Sequence, residues 1–333
     1  MRALVSHQIG GPDQLAVIEH AVPEPAKDEV RVRVHACGVN FPDTLIIRDR
    51  YQIKPERPFS PGGEWAGVID RVGAGVTHLK VGDRVAATTL YGGMCEQRVV
   101  AASACIPLPE DMPFEDAASF FLTYATTYYG LHHRGTLKRG ETLLILGATG
   151  GLGIAAIELG KYFGARVIAG VSSQEKAQVA RQAGADEVLI YPQMVEDPAA
   201  IRALSHQIKQ ICGPQGVDVV YDSLGGPFTE AALRSMARYG RLLVIGFVAG
   251  IPKVPTNLIL LKSCQLVGVS YGSFSQKDQK GHLEICQALI DLYQQKIIRP
   301  HITARFPLAR GGEAIALLES RKAIGKIVVD VQS

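Results

Sequence analysis

Short stretches of the first 120 residues place apolar side chains at every second position, as in Val30-Arg31-Val32-Arg33-Val34. This is the pattern of a half-buried strand. Gly82-Asp83-Arg84-Val85-Ala86 reads as a turn entering another strand, and frequent glycine and proline predict a small β-rich domain. From about Leu122 the rhythm changes to apolar runs at Leu143–Leu146, Arg166–Ala169, Glu187–Ile190, Val217–Tyr221, Arg241–Ile245 and Gln265–Val269. Stretches with helical spacing separate most of them, which predicts an α/β fold with a doubly wound parallel sheet.

The tail departs from that rhythm. Leu283–Gln295 is expected to be helical, Ile302–Phe306 extended, Gly311–Ser320 helical and Ile327–Val331 a strand. The tail is therefore assigned to the first domain, giving a discontinuous domain of residues 1–122 and 268–333 around an inserted domain of residues 123–267.

The apolar run Thr142–Leu146 feeds directly into Gly147-Ala148-Thr149-Gly150-Gly151-Leu152-Gly153 and then into a segment of helical periodicity. Ala148, Gly150 and Gly153 occupy the three small positions of a dinucleotide-binding turn, and Gly151 and Leu152 complete it. In such a turn, backbone N–H groups and the positive end of the helix dipole face a pyrophosphate. Ser223, Gly246, Phe247 and Val248 follow later strands, at the carboxyl ends that face the ligand in this kind of sheet.

Composition narrows the class without changing that reading. With 333 residues the chain has material for about two domains, each with its own core. The 35 basic and 32 acidic residues are scattered, so no nucleic-acid or lipid patch is expected. No segment is apolar enough to suggest a membrane span, and the start lacks the apolar stretch of a secretory signal, so a cytoplasmic protein is expected. Cys37, Cys95, Cys105, Cys212, Cys264 and Cys286 are isolated and read as reduced core thiols. His132 and His133 lack a spaced third ligand and are placed on a helix surface.

The second strand of the inserted domain decides between the two dinucleotides. It ends Ala169-Gly170-Val171-Ser172-Ser173-Gln174-Glu175-Lys176, with no acid at the strand tip to accept from the ribose hydroxyls of NAD. A carboxylate there would repel a 2′-phosphate, whereas Ser172, Ser173 and Lys176 supply donors for one. NADPH is therefore the expected cofactor. A serine that also caps the next helix is compatible with this role.

Several motifs together resemble the zinc-independent NADPH:quinone oxidoreductases of the medium-chain dehydrogenase/reductase superfamily. They are Cys37–Thr44, Pro61–Val68, Val81–Val85, the glycine turn, Tyr221–Gly226 and Gly325–Val328. The resemblance implies a GroES-like β-barrel domain for the substrate and a Rossmann domain for NADPH, in a homodimer. It also implies that no catalytic zinc is held, because Asn40 and Gly63 stand where zinc-dependent relatives have cysteine and histidine ligands. Only Cys95 follows Val85 before Val99, so the structural zinc lobe is also expected to be absent.

Without a Lewis acid, acceptors that stabilise negative charge themselves are favoured, such as quinones and α,β-unsaturated carbonyls. Asn40 is the first candidate donor to the acceptor carbonyl and Tyr51 the second. Leu45 stands where some relatives have another tyrosine, which makes the pocket more apolar. The resemblance further implies Thr127 near the nicotinamide amide, Tyr191 beside the adenine end and Lys326 reaching the cofactor. Two alternatives remain open from the residues: an enoyl-thioester or alkenal reductase, and a non-catalytic NADPH-binding protein.

Overall fold

The computed structural model describes residues 1–193, 195 and 197–333. It divides the chain into two units, residues 1–122 with 300–333 and residues 123–299.

The first unit opens with the antiparallel pair β1 (Arg2–Ser6) and β2 (Leu15–Glu19). The long strand β3 (Glu29–Val39) follows, and its alternation buries Val30, Val32 and Val34. A short helix α1 (Phe41–Ile46) then leads to β4 (Glu64–Val72), β5 (Arg84–Thr88), β6 (Gln97–Ala101), β7 (Ile106–Pro107) and the helical turn α2 (Phe114–Ala117).

The chain passes into the second unit through α3 (Phe121–Tyr128). There, strands and helices alternate: β8 (Thr142–Leu146), α4 (Gly151–Tyr162), β9 (Arg166–Val171), α5 (Gln174–Gln182) and β10 (Glu187–Ile190). They continue with α6 (Pro198–Cys212), β11 (Val217–Asp222), α7 (Gly226–Ser235), β12 (Met236–Val244), α8 (Thr256–Lys262) and β13 (Gln265–Gly268). The sheet is parallel throughout, in the order β10-β9-β8-β11-β12-β13. The order in which strands are added reverses between β8 and β11, which opens a crevice at their carboxyl ends where ligands bind in such sheets. Leu143–Leu146 are fully buried there, each contributing about 1.5–3 kcal/mol of apolar burial.

Two further helices, α9 (Tyr271–Lys277) and α10 (Gln279–Gln294), stay with this unit. This corrects the boundary drawn from the sequence at 267/268, which lies at 299/300. The reason is packing: Phe274 stacks on Tyr129 at 4.5 Å between ring centroids, and Ile285, Leu289 and Leu292 are buried. Periodicity alone identified the helix and could not say which unit it joins.

Only the last 34 residues return to the first unit. They form β14 (Ile302–Pro307), α11 (Gly311–Glu319) and β15 (Lys326–Asp330). The sheet they complete runs β14-β15-β3-β4-β5-β7, with β6 also paired to β3. Its core gathers Val32, Trp65, Ile69, Val85, Met94, Ile327 and Val329.

Candidate functional site

The glycine turn closes between β8 and α4. Gly147 has φ of 77°, a left-handed value that a side chain would strain, and Gly150 is the residue before the first helical turn. The N–H groups of Gly151, Leu152 and Gly153 open α4 and have no carbonyl one turn earlier to bond. A Cβ on Gly153 would fall 2.3 Å from Gly147 O, so this glycine lets the helix press against the turn. A Cβ on Gly150 would meet only Gly147 O, at 3.7 Å. The protein itself does not require glycine at 150, and the space left there fits a pyrophosphate approaching the backbone. Ala148 is fully buried and ties the turn to the neighbouring strand through its N–H to Gly170 O at 2.9 Å.

At the end of β9, Ser173 caps α5 by accepting from Lys176 N at 3.2 Å. The Lys176 ammonium lies 3.5 Å from Ser172 Oγ. Burial lowers the Lys176 pKa, against the opposing pull of Glu175. The three expected phosphate-binding residues are thus one cluster. Tyr191 lies buried over the turn, and burial pushes its phenol up to about 12, partly offset by a hydrogen bond from the Gly147 backbone.

Ser223 also reaches the turn, but its hydroxyl donates to Leu146 O at 2.8 Å and so clasps the ends of β8 and β11. The next loop is tied to the same place by Ile245 N and Gly246 N bonding to Asp222 O at 2.9 and 3.3 Å. Phe247 is exposed and Val248 partly so. Thr127 is fully buried, and its hydroxyl donates to Thr123 O at 2.8 Å. With that proton committed, Tyr221 OH is the donor in the 2.9 Å contact between Tyr221 and Thr127.

In the first unit, the acceptor candidate Asn40 lies in the β3–α1 turn and Tyr51 in the loop after α1. Asn40 Nδ2 donates to Glu64 Oε2 at 2.9 Å and to Gly38 O at 3.3 Å. Its Oδ1 accepts from Lys326 Nζ at 2.6 Å. Lys326 Nζ also lies 3.0 Å from Glu64 Oε2, and the two side chains are 4% and 1% exposed. Glu64 Oε1 accepts the Leu122 N–H at 2.9 Å. Asp43 is equally buried and accepts from Asn40 N at 2.8 Å and Gly62 N at 3.0 Å. Burial raises the Asp43 carboxyl to about 6 despite those bonds and the nearby Lys326, and the Glu64 charge adds to the rise. Burial also raises the half-buried Tyr51 phenol, with a further push from Asp43.

Asn40 and Lys326, expected to serve different ligands, are bonded to each other. Glu64 and Asp43 lie inside motifs already visible in the sequence, yet no role was assigned to them. The available signal was a carboxylate in the otherwise apolar Pro61–Val68 stretch, since a buried acid requires a partner. Cys37 is a core thiol, its pKa raised by burial. Among the described residues no helix is long and apolar enough to cross a membrane.

Residues 26–110 match the alcohol dehydrogenase GroES-like domain family, and residues 151–288 match the zinc-binding dehydrogenase family. Quinone oxidoreductase-like protein 2 of Rattus norvegicus is 35% identical over 99% of this chain and 92% of its own. The chain belongs to the medium-chain dehydrogenase/reductase superfamily, among its quinone oxidoreductase-like members. Escherichia coli quinone oxidoreductase, solved with NADPH, superposes with a TM-score of 0.89 at 32% identity, covering 99% of this chain and 100% of that one. A mycobacterial relative, also solved with NADPH, gives 0.90 at 32% identity, covering 99% of both chains. The zinc-binding name of one matched family does not suit the donor set of this member. Gly63 offers no side chain, and the Asn40 amide is held between Glu64 and Lys326.

Proposed function

We propose that this chain is an NADPH-dependent reductase that transfers hydride to a quinone or related α,β-unsaturated carbonyl without zinc. The observation that carries the reading is the buried Asn40–Lys326–Glu64 arrangement, beside a position where zinc-dependent relatives place a ligand. It offers a buried cation where those relatives offer a metal. The two relatives solved with NADPH support the choice of cofactor.

NADPH, when bound, supplies a hydride. In this reading, the N–H groups of Gly151, Leu152 and Gly153 hold the pyrophosphate, and Ser172, Ser173 and Lys176 hold the 2′-phosphate. Tyr191 flanks the adenine end, while Ser223, Gly246, Phe247 and Val248 form the rim at the strand ends. Thr127 acts through Tyr221 to shape the floor on the nicotinamide side, because its own proton is used within the helix. On the acceptor side we place Asn40 and Tyr51, with the half-buried Tyr51 hydroxyl as a donor to the acceptor.

We also assign the protein to a homodimer. β13 is the edge strand of the parallel sheet, and Leu260, Leu261 and Leu266 on and beside it are 78%, 66% and 37% exposed. An uncovered apolar edge is suited to pairing with a second copy.

The deciding experiment follows oxidation of NADPH and of NADH with 1,4-benzoquinone, phenanthrenequinone, cyclohexenone and crotonyl-CoA. Turnover of NADPH with the quinones or cyclohexenone, and preference for it over NADH, is the expected result. Preferred reduction of crotonyl-CoA would move the assignment to an enoyl-thioester reductase. Tight NADPH binding with no turnover across the panel would overturn the enzyme reading.

A further inference from the structure

We propose that Lys326, and not Asn40, is the group that meets the negative charge arriving on the acceptor oxygen, with Glu64 and Asn40 acting as its positioning residues. This rests on the reductase reading above and assigns the electrophilic group within the same site.

Hydrogen-bond capacity carries the argument. An amide nitrogen has two hydrogens, and both of those on Asn40 Nδ2 are taken, by Glu64 Oε2 and Gly38 O. Its oxygen is an acceptor and already holds Lys326 Nζ. Asn40 therefore has nothing left to donate unless a bond inside the protein breaks. An ammonium has three hydrogens. Among the described residues, those of Lys326 have two acceptors, Asn40 Oδ1 at 2.6 Å and Glu64 Oε2 at 3.0 Å. One N–H direction remains.

Burial makes that direction valuable. A cation shielded from water acts on a nearby developing charge far more strongly than one in solvent. Glu64 compensates the charge in the resting state, which keeps an otherwise costly buried ammonium in place. The carboxylate also bonds Leu122 N, and that bond anchors it from the opposite oxygen. Lys326 is thereby fixed by two acceptors before any substrate arrives, so little reorganisation is needed during the reaction. A cofactor pyrophosphate is a poorer receiver for the third hydrogen. Its permanent double charge would come close to Glu64 and Asp43, whereas the glycine turn already supplies a site for it.

The step balances simply. Hydride adds to the acceptor carbon, the displaced electron pair settles on the acceptor oxygen against the Lys326 N–H, and a proton from water completes the reduction. Quinones stabilise the resulting anion within their own ring system. Simple enones do so much less and depend more on the protein.

The test compares wild type with Lys326→Met and with the double variant Glu64→Gln/Lys326→Met. The double variant removes both charges of the ion pair, so Glu64 is not left as a buried carboxylate without its cation. Cyclohexenone turnover is expected to fall about 100-fold or more in both variants. 1,4-Benzoquinone turnover should fall by less than about tenfold, and the KM for NADPH should stay within about twofold. A second readout does not depend on turnover. With NADP⁺ present, 4-nitrophenol bound to wild type should ionise below its own pKa, seen as phenolate absorbance, and should not do so in either variant. A rise in the NADPH KM with equal losses for both acceptors would make Lys326 a cofactor ligand and overturn the proposal. Unchanged turnover in the double variant would make the ion pair structural only and would overturn it as well. If wild type reduces no acceptor, the reductase reading fails, and the 4-nitrophenol signal still decides the role of Lys326. Absence of a Lys326-dependent signal then rules that role out.

Discussion

Glu158 on α4 accepts from Tyr124 OH at 2.6 Å and from Arg299 N at 3.2 Å, both through the same carboxylate oxygen. Burial nevertheless raises its pKa to about 7, because those two bonds only partly offset the loss of water. The folded pKa lies above the ordinary value of 4.5, so the folded state holds the proton more tightly than the unfolded one. The stability this contributes is complete below about pH 4.5 and is lost as pH rises through about 7, a change of up to roughly 3 kcal/mol. Urea denaturation across that range should show the fall. Glu158→Gln keeps one oxygen for both donors and should remove this part of the slope.

The two glycines of the turn should respond in opposite ways. Gly153→Ala places a methyl group 2.3 Å from Gly147 O, so thermal unfolding should occur several degrees lower. Gly150→Ala meets nothing closer than 3.7 Å, so its Tm should be close to that of wild type. NADPH affinity, measured by fluorescence titration, should nevertheless fall at least about tenfold, since the methyl group occupies space assigned to the phosphate.

Lys176→Ala should raise the KM for NADPH at least about tenfold and that for NADH by less than about twofold. The contrast tests the phosphate reading of the Ser172–Ser173–Lys176 cluster. Equal effects on both cofactors would assign Lys176 to the helix start alone.

Tyr221→Phe removes the donor to Thr127 and leaves the Thr127 oxygen buried with its remaining bond. A loss of about 1 kcal/mol in urea denaturation is expected. Thr127→Val should cost a similar amount, and the double variant should cost less than the sum of the two.

Leu260→Glu combined with Leu266→Lys should convert the proposed dimer to a monomer in analytical ultracentrifugation, with the circular dichroism of the folded chain retained. Both side chains are exposed, so the change tests association and not the core.

Local features of the sequence were enough to predict most elements. Alternation at Val30–Val34 marked β3, and the run Leu143–Leu146 followed by glycines marked the centre of the parallel sheet, because period and turn chemistry act over a few residues. The acceptor side was less legible. Lys326 and Glu64 are 262 positions apart, and no spacing rule joins them. Asn40 looked available because a residue type shows its capacity to donate and not whether neighbours have already taken it. The boundary at Arg299 was hidden for a related reason: α10 has an apolar face, and only the folded chain shows that it packs with α9 in the second unit.

The register of β15 against β3 has a consequence for how the chain is made. Ile327 pairs with Val39 and Asp330 with Ala36, so β3 waits for a neighbour made only after the whole inserted unit. Residues 123–299 are continuous and emerge from the ribosome as a set. During synthesis the inserted unit can therefore reach its native form first. The unit that holds β3 is left with an open strand edge until residues 300–333 are made, and slow elongation over them would prolong that exposure.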